Sequence, residues 1–111
     1  MRKVYVNKES GNGTHLQGTI STTLSHLRSI LGEPEYECEF GYPMDKTTTE
    51  WTLEFPDDTI ATIYDWKLQF QPSPDELYDW HIGGKSKVAV SRVTELIKGE
   101  KDYEVENTKQ D

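Results

Sequence analysis

The feature that most constrains the fold is the stretch from Thr47 to Phe70, which has the residue pattern of two successive strands. In its first half Trp51 and Leu53 share one side of an extended chain, and polar residues take the other. Its second half, Thr59–Phe70, is rich in β-branched and aromatic residues and partly apolar on both faces, which is typical of a central strand. Pro56-Asp57-Asp58 between the halves predicts a hairpin turn. The middle of the chain therefore predicts a sheet.

A helix is predicted before this sheet. Its apolar face recurs at positions i, i+3 and i+7, which is the period of an α-helix rather than a strand. Ser21 or Thr22 is expected to cap its start, and Gly32 followed by Pro34 to end it. The residues of the apolar face are Leu24, Leu27 and Leu31.

A second helix is predicted after the sheet, with Ser86 as its N-cap and Gly99 just past its end. Short connections between consecutive strands favour antiparallel pairing. The predicted fold class is therefore α+β, with a small antiparallel sheet of three to five strands flanked by two helices. One domain is expected over residues 1–99, followed by a flexible charged tail over residues 100–111. A further short strand is expected at Tyr78–Ile82, Lys3–Val6 and His15–Ile20 are candidate short extended segments, and Glu35–Phe40 is expected to be a strand or an extended loop.

Charge is unevenly distributed along the chain. The net charge is −8, and residues 33–58 alone carry nine acidic and one basic side chain. A field of this sign repels phosphates, so direct nucleic-acid binding is not expected. Carboxylates spaced along strands either form a solvated face or imitate a phosphate backbone and dock on a basic protein surface. Both interpretations stay open at this point.

Catalytic and metal-binding patterns are missing from the sequence. The three histidines are far apart, and Cys38 is the only cysteine, so neither a zinc site nor a disulfide is expected. No Gly-x-Ser-x-Gly elbow is present. We therefore expect no enzymatic activity, no metal and no cofactor. A run of apolar residues long enough for a signal peptide or a membrane span is also lacking, which favours a cytoplasmic location.

The first candidate binding feature is the segment Trp80–Ser86, where a strand end meets a helix start. Gly83 and Gly84 are expected to free backbone amides there, so that these amides and Ser86 bind an anion. Lys85 and His81 would balance its charge. A nucleotide-hydrolysing P-loop is rejected because Asp79 stands where that motif needs glycine. The alternative is a tight turn into a capped helix.

The second candidate feature is aromatic. Tyr64 and Trp66 are expected on one face of a strand, where their rings would stack on a planar base, while Lys67 beside them would meet a phosphate. Trp80 on a neighbouring strand would complete a two-sided aromatic slot. Ordinary cross-strand packing of these rings is the alternative.

Three segments together resemble a family of small bacteriophage-encoded proteins of largely unassigned function. The resemblance covers roughly residues 16–98 and is carried by Leu31–Pro34, Glu50–Lys67 and Trp80–Ser86. It implies an accessory protein in the bacterial host cytoplasm, and small phage proteins of this kind often antagonise host defence.

The leading functional hypothesis is a non-enzymatic, homo-oligomeric protein that sequesters a small anionic ligand, such as a nucleotide or a cyclic nucleotide immune signal. The alternative is an acidic inhibitor that mimics nucleic acid and binds a host defence protein through residues 33–58. A small nucleotide-processing enzyme is the third hypothesis. The expected ligand-binding residues are Tyr64, Trp66, Lys67, Trp80, His81, Gly83, Gly84, Lys85 and Ser86.

Overall fold

The structure is a computed structural model that describes residues 2–8, 13–38, 47–68 and 70–108. Within these ranges the chain forms seven strands and two helices. Neither helix combines the length and apolar character needed to cross a membrane. In chain order the elements are β1 (Lys3–Val6), β2 (His15–Thr22), α1 (Leu24–Leu31), β3 (Tyr36–Glu37), β4 (Thr49–Glu54), β5 (Ile60–Tyr64), β6 (Tyr78–Gly84), α2 (Val88–Ile97) and β7 (Glu104–Asn107).

The strands form one mixed sheet in the order β2-β6-β5-β4-β1-β7, and β3 pairs with β4 beside this path. All pairs are antiparallel except β1 with β7, which is parallel. The predicted α+β class and the two helices are confirmed. The prediction of a purely antiparallel sheet of three to five strands is wrong, because short β3 and β7 add to it. The central position predicted for β5 is confirmed, since it lies between β6 and β4.

One face of the sheet packs against both helices and forms the core. Cross-strand neighbours in register project to the same side, so Ile63 of β5 lies between Trp51 of β4 and Ile82 of β6. All three are fully buried. The helices contribute the apolar faces predicted for them to the same cluster, with Leu24, Leu27 and Leu31 from α1 and Ala89, Val93, Leu96 and Ile97 from α2.

Helix α1 begins one or two residues later than the sequence predicts. Thr23 is its N-cap, and the Thr23 hydroxyl accepts a hydrogen bond from the His26 amide at 3.1 Å. Ser21 and Thr22, the expected caps, belong instead to β2. The predicted end is confirmed: Gly32 has φ 80°, and its amide donates to the Arg28 carbonyl at 2.9 Å.

Strand β5 is shorter than the predicted Thr59–Phe70, because Asp65 turns its carboxylate into the protein. Asp65 is fully buried. Its carboxylate accepts hydrogen bonds from the amides of Thr48 (2.6 Å) and Thr49 (3.2 Å) and from the Thr48 hydroxyl. A buried carboxylate requires such donors to offset its lost hydration. Asp65 therefore fixes the start of β4 to the end of β5.

The segment predicted as a flexible tail is part of the domain up to residue 108, so that prediction is wrong for β7. Glu104–Asn107 pairs in parallel with β1. Before it, the Tyr103 ring meets Phe55 edge-on at 5.6 Å between centroids. The Asn107 amide donates to the carbonyls of Leu31 and Glu33 and so joins β7 to the end of α1. The last three residues, 109–111, lie outside the described ranges.

Candidate functional site: a cleft on the open face of the sheet

The face of the sheet opposite the helices, here called the open face, carries a different set of side chains. Register places Tyr64 of β5 between Glu50 of β4 and His81 of β6. In the next row, Thr62 lies beside Gly83. Because both helices pack on the other side, Glu50, Thr62, Tyr64 and His81 of this face are positioned by rigid strands.

Three rings of the open face form a cluster, here called the aromatic cluster: Tyr64, Trp66 and His81. The indole of Trp66 stacks on His81, with 6.3 Å between centroids and an interplanar angle of 26°. Tyr64 meets both rings edge-on, at 6.2 Å from Trp66 and 5.4 Å from His81. Trp66 remains 38% exposed. The cluster thus holds one exposed indole in a fixed orientation.

Beside the aromatic cluster lies a cleft of about 220 Å³, here called the open-face cleft. Gly83 lies behind three of the residues that line it. A Cβ at Gly83 would overlap the Thr62 hydroxyl and would lie 3.4 Å from the Tyr64 ring and 3.5 Å from the Thr14 hydroxyl. A side chain at residue 83 would therefore displace residues that line the cleft. The residues that line the cleft are Thr14, Thr47, Glu50, Thr62, Tyr64 and Trp66.

The volume of the open-face cleft limits what it can hold. Pockets for drug-sized ligands have volumes of roughly 300–1,000 Å³. At about 220 Å³ the cleft accommodates one planar ring system, with the remainder of a larger molecule in solvent. Three threonine hydroxyls and one carboxylate surround this space, so a ring with hydrogen-bonding edges suits it better than a hydrocarbon.

Two of the predicted cations lie at the margins of this region. The Lys67 ammonium lies 5.7 Å from the centroid of the Trp66 ring. The aliphatic chain of Lys85 passes beside Gly13, next to the cleft residue Thr14. Lys67 therefore borders the aromatic cluster, and Lys85 lies beside the residue that precedes Thr14.

Trp80 does not belong to this site, and the predicted two-sided slot does not form. Its ring is fully buried on the helix side of the sheet, where it meets Trp51 edge-on at 5.9 Å, and its indole nitrogen donates to the Thr22 carbonyl. The reason is register. His81, not Trp80, is the residue of β6 opposite Tyr64, and successive residues of a strand point to opposite faces.

The predicted anion site at the two glycines is also wrong in its geometry. Gly83 and Gly84 lie inside β6, and each is paired in register with residues of β2 and β5, so no turn frees their amides. A Cβ at Gly84 would collide with that of Ala89, which shows that this glycine lets α2 pack closely on the sheet. Ser86 lies in the turn before α2, and its hydroxyl accepts from the Val88 amide.

Glu50 is the functional candidate that sequence reasoning missed. It lines the cleft, and in the described part of the chain no hydrogen bond or ion pair involves its carboxylate. Burial raises the pKa of Glu50, and the nearby carboxylates of Glu35 and Asp65 raise it further. Burial and the Glu50 charge in turn raise the pKa of Tyr64. The alternation of polar and apolar residues in β4 predicts that Glu50 is an ordinary solvated residue. The sequence does not show that Glu50 lies opposite Tyr64 in the sheet.

Replacing Glu50 with glutamine is expected to stabilise the unliganded protein at neutral pH. A carboxyl whose pKa is raised on folding binds its proton more tightly in the native state, so the free energy of unfolding falls as pH rises through the window between the unfolded and folded pKa values. Thermal melts should show Glu50→Gln above the wild type at pH 7, with the gap closing near pH 4. The exposed Glu100→Gln is the control and should leave the melting curve unchanged at both pH values.

The acidic stretch 33–58 is not a uniform face in the part of it that the structure describes. Glu33 and Glu37 both pair with Arg28 of α1. Asp57 pairs with Arg92 of α2 at 2.9 Å, whereas Glu50 lies on the open face. Residues 39–46 lie outside the described ranges. No geometric observation thus favours the nucleic-acid-mimic alternative.

Compared with models of known protein families, with curated proteins and with solved structures, the chain has no significant match. The resemblance to a phage family stays a prediction from the sequence. The geometry of the open-face cleft is therefore the basis for a functional proposal.

Proposed function

We propose that the protein is a non-enzymatic binding module that holds the planar ring of a nucleotide-like ligand in the open-face cleft. The ring would stack on Trp66, and the threonine hydroxyls would bind its polar edges. Lys67 and Lys85 would balance the charge of a phosphate that extends into solvent. Such a protein acts by lowering the free concentration of its ligand.

The observation that carries this proposal is the exposed Trp66 indole at the open-face cleft. Two segments of the chain, β5 and the residue before β2, also contribute lining side chains that meet at Gly83, namely Thr62, Tyr64 and Thr14. The alternative is that the aromatic cluster is ordinary cross-strand packing, which explains Tyr64 and His81. Packing alone does not account for an exposed indole beside an unfilled space on a rigid sheet.

The experiment is a calorimetric titration of the purified protein with nucleoside monophosphates and with cyclic mono- and dinucleotides. Trp66→Ala should weaken binding of whichever nucleotide the wild type binds by about tenfold to hundredfold, because stacking on an aromatic ring contributes roughly 1–3 kcal/mol per base. Intrinsic fluorescence provides a second readout, since Trp51 and Trp80 are fully buried and Trp66 is the exposed indole.

Val88→Ala is the matched control. Val88 is exposed to a similar degree (42%) but lies on α2, on the far side of the sheet, so its replacement should leave nucleotide affinity unchanged. Equal loss of affinity in both variants, or saturable binding that Trp66→Ala does not weaken, would contradict the proposed site. Recovery of a chemically altered nucleotide after incubation would instead indicate an enzyme.

The biological setting is proposed from the sequence resemblance alone. In a bacterial host cytoplasm, a phage protein with this cleft would sequester a nucleotide immune signal, and a homo-oligomer would present several clefts. These statements rest on the predicted family resemblance, whereas the cleft rests on the geometry of β4, β5 and β6.

A further inference from the structure

Glu50 gives the open-face cleft a hydrogen-bond acceptor at a fixed position. It is the only charged residue among those that line the cleft in the described part of the chain. Its position is fixed by β4, where it is the cross-strand partner of Tyr64 on β5. A ring stacked beside Tyr64 and Trp66 would therefore turn one of its edges toward this carboxylate.

The protein itself supplies no counter-charge for Glu50 in the ranges that the structure describes. The charged groups nearest to it that act on its ionisation, Glu35 and Asp65, carry the same sign. A partly buried carboxylate that lacks donors is costly, because protein and solvent only incompletely replace its hydration. Ligand N–H groups would supply what is missing.

We propose that the open-face cleft selects a ring whose edge presents two adjacent N–H donors, as the base of a guanine nucleotide does, and that Glu50 accepts both. This rests on the proposed function and names the ligand class for the same cleft. Guanine presents its ring N1–H and its exocyclic amine side by side, so one carboxylate receives two parallel hydrogen bonds.

The other common bases do not offer this pattern. Adenine and cytosine each place an acceptor nitrogen beside their amino group, so one carboxylate oxygen would face a lone pair. Uracil has a single N–H between two carbonyl oxygens. A ligand that leaves a buried acceptor of the site unpaired is rejected far more strongly than a ligand that merely loses a contact. The cleft should therefore favour guanine over the other three bases.

The test compares GMP, IMP and AMP as ligands of the wild-type protein by calorimetry. IMP differs from GMP only in lacking the exocyclic amine, so the inference predicts that IMP binds about tenfold or more weakly, the effect of one hydrogen bond to a charged group. AMP should bind more weakly still.

Glu50→Gln provides the decisive variant. A carboxamide keeps one acceptor and replaces the other with a donor, so it cannot accept from both N–H groups of guanine, and GMP and IMP should bind this variant about equally. Glu54→Gln is the matched control, because Glu54 lies on the same face of β4 but does not line the cleft. It should keep the wild-type order of affinities.

The outcomes separate this inference from the proposed function. If GMP, IMP and AMP bind the wild type equally and Glu50→Gln changes none of them, recognition by Glu50 is refuted while nucleotide binding stands. If none of the three binds the wild type, Glu50→Gln or Glu54→Gln, guanine recognition is overturned, and the proposed function is overturned as well when the cyclic nucleotides also fail to bind. A GMP preference that Glu50→Gln leaves intact also refutes the role of Glu50.

Discussion

Replacing Asp65 with alanine is expected to destabilise the protein by about 3 kcal/mol, since each buried donor left without an acceptor costs roughly 1–3 kcal/mol. The variant removes the acceptor for the Thr48 and Thr49 amides and for the Thr48 hydroxyl, all of them buried. For a domain of this size the melting temperature should fall by roughly 15 °C. Chemical denaturation measures the loss directly.

Two further variants test whether the loss of stability comes from the hydrogen bonds of the Asp65 carboxylate. Asp65→Asn keeps an oxygen that accepts from the Thr48 amide, so it should recover more than half of the stability. Asp79→Ala, at an exposed position of β6, should change stability by no more than about 0.5 kcal/mol. If Asp65→Ala melts within a few degrees of the wild type, the carboxylate does not fix β4 to β5 as described.

Replacing Gly84 with alanine is expected to cost about 2–3 kcal/mol, the usual range for forcing an extra methyl group into a packed core. The new Cβ would collide with the Cβ of Ala89, which belongs to the rigid first turns of α2, so the helix must move away from the sheet. Urea denaturation should show a lower midpoint with little change in slope.

The adjacent Gly83→Ala is the matched comparison, because it adds the same methyl group to the opposite face. It would overlap the hydroxyl of buried Thr62, so this side chain must shift. Thr62 lines the open-face cleft, and its shift would change the shape of the cleft. Gly83→Ala should therefore bind poorly, and a folded Gly83→Ala variant that binds like the wild type would contradict the position of the cleft.

The local features of the fold were predictable from residue type. Gly32 followed by Pro34 predicts the end of α1, and the structure confirms the left-handed conformation that favours glycine there. The turn at Pro56-Asp57-Asp58 is confirmed as well, with the Asp58 amide donating to the Phe55 carbonyl at 2.9 Å. Such signals succeed because their physical cause lies within four or five residues of the position they define.

The misplaced features depend on contacts that are distant in the sequence. Strand β7 was missed because a polar segment shows no core face, and its pairing partner β1 lies about 100 residues earlier. β5 was predicted too long because no pattern shows that Asp65 turns inward to amides of β4. In both cases tertiary contacts override local propensity.

Register explains why only part of the candidate site was predictable. The sequence correctly groups Tyr64 with Trp66, since both fall on the same side of one extended segment. The sequence also predicts Trp80 beside these two rings, which is wrong. Alternation within one strand does not show which of its faces continues a given face of the neighbouring strand. The sequence predicts an anion site at the two glycines, whereas each has a separate packing role on its own face of β6.

The most direct test of the open-face cleft is a chemical-shift titration of the isotope-labelled protein with GMP. Saturable shifts at Thr62, Gly83 and the Trp66 indole, with little change along α2, are the predicted result. Shifts confined to the turn around Lys85 and Ser86 or to the helix side, or none at millimolar GMP, would contradict a ligand site on this face of the sheet.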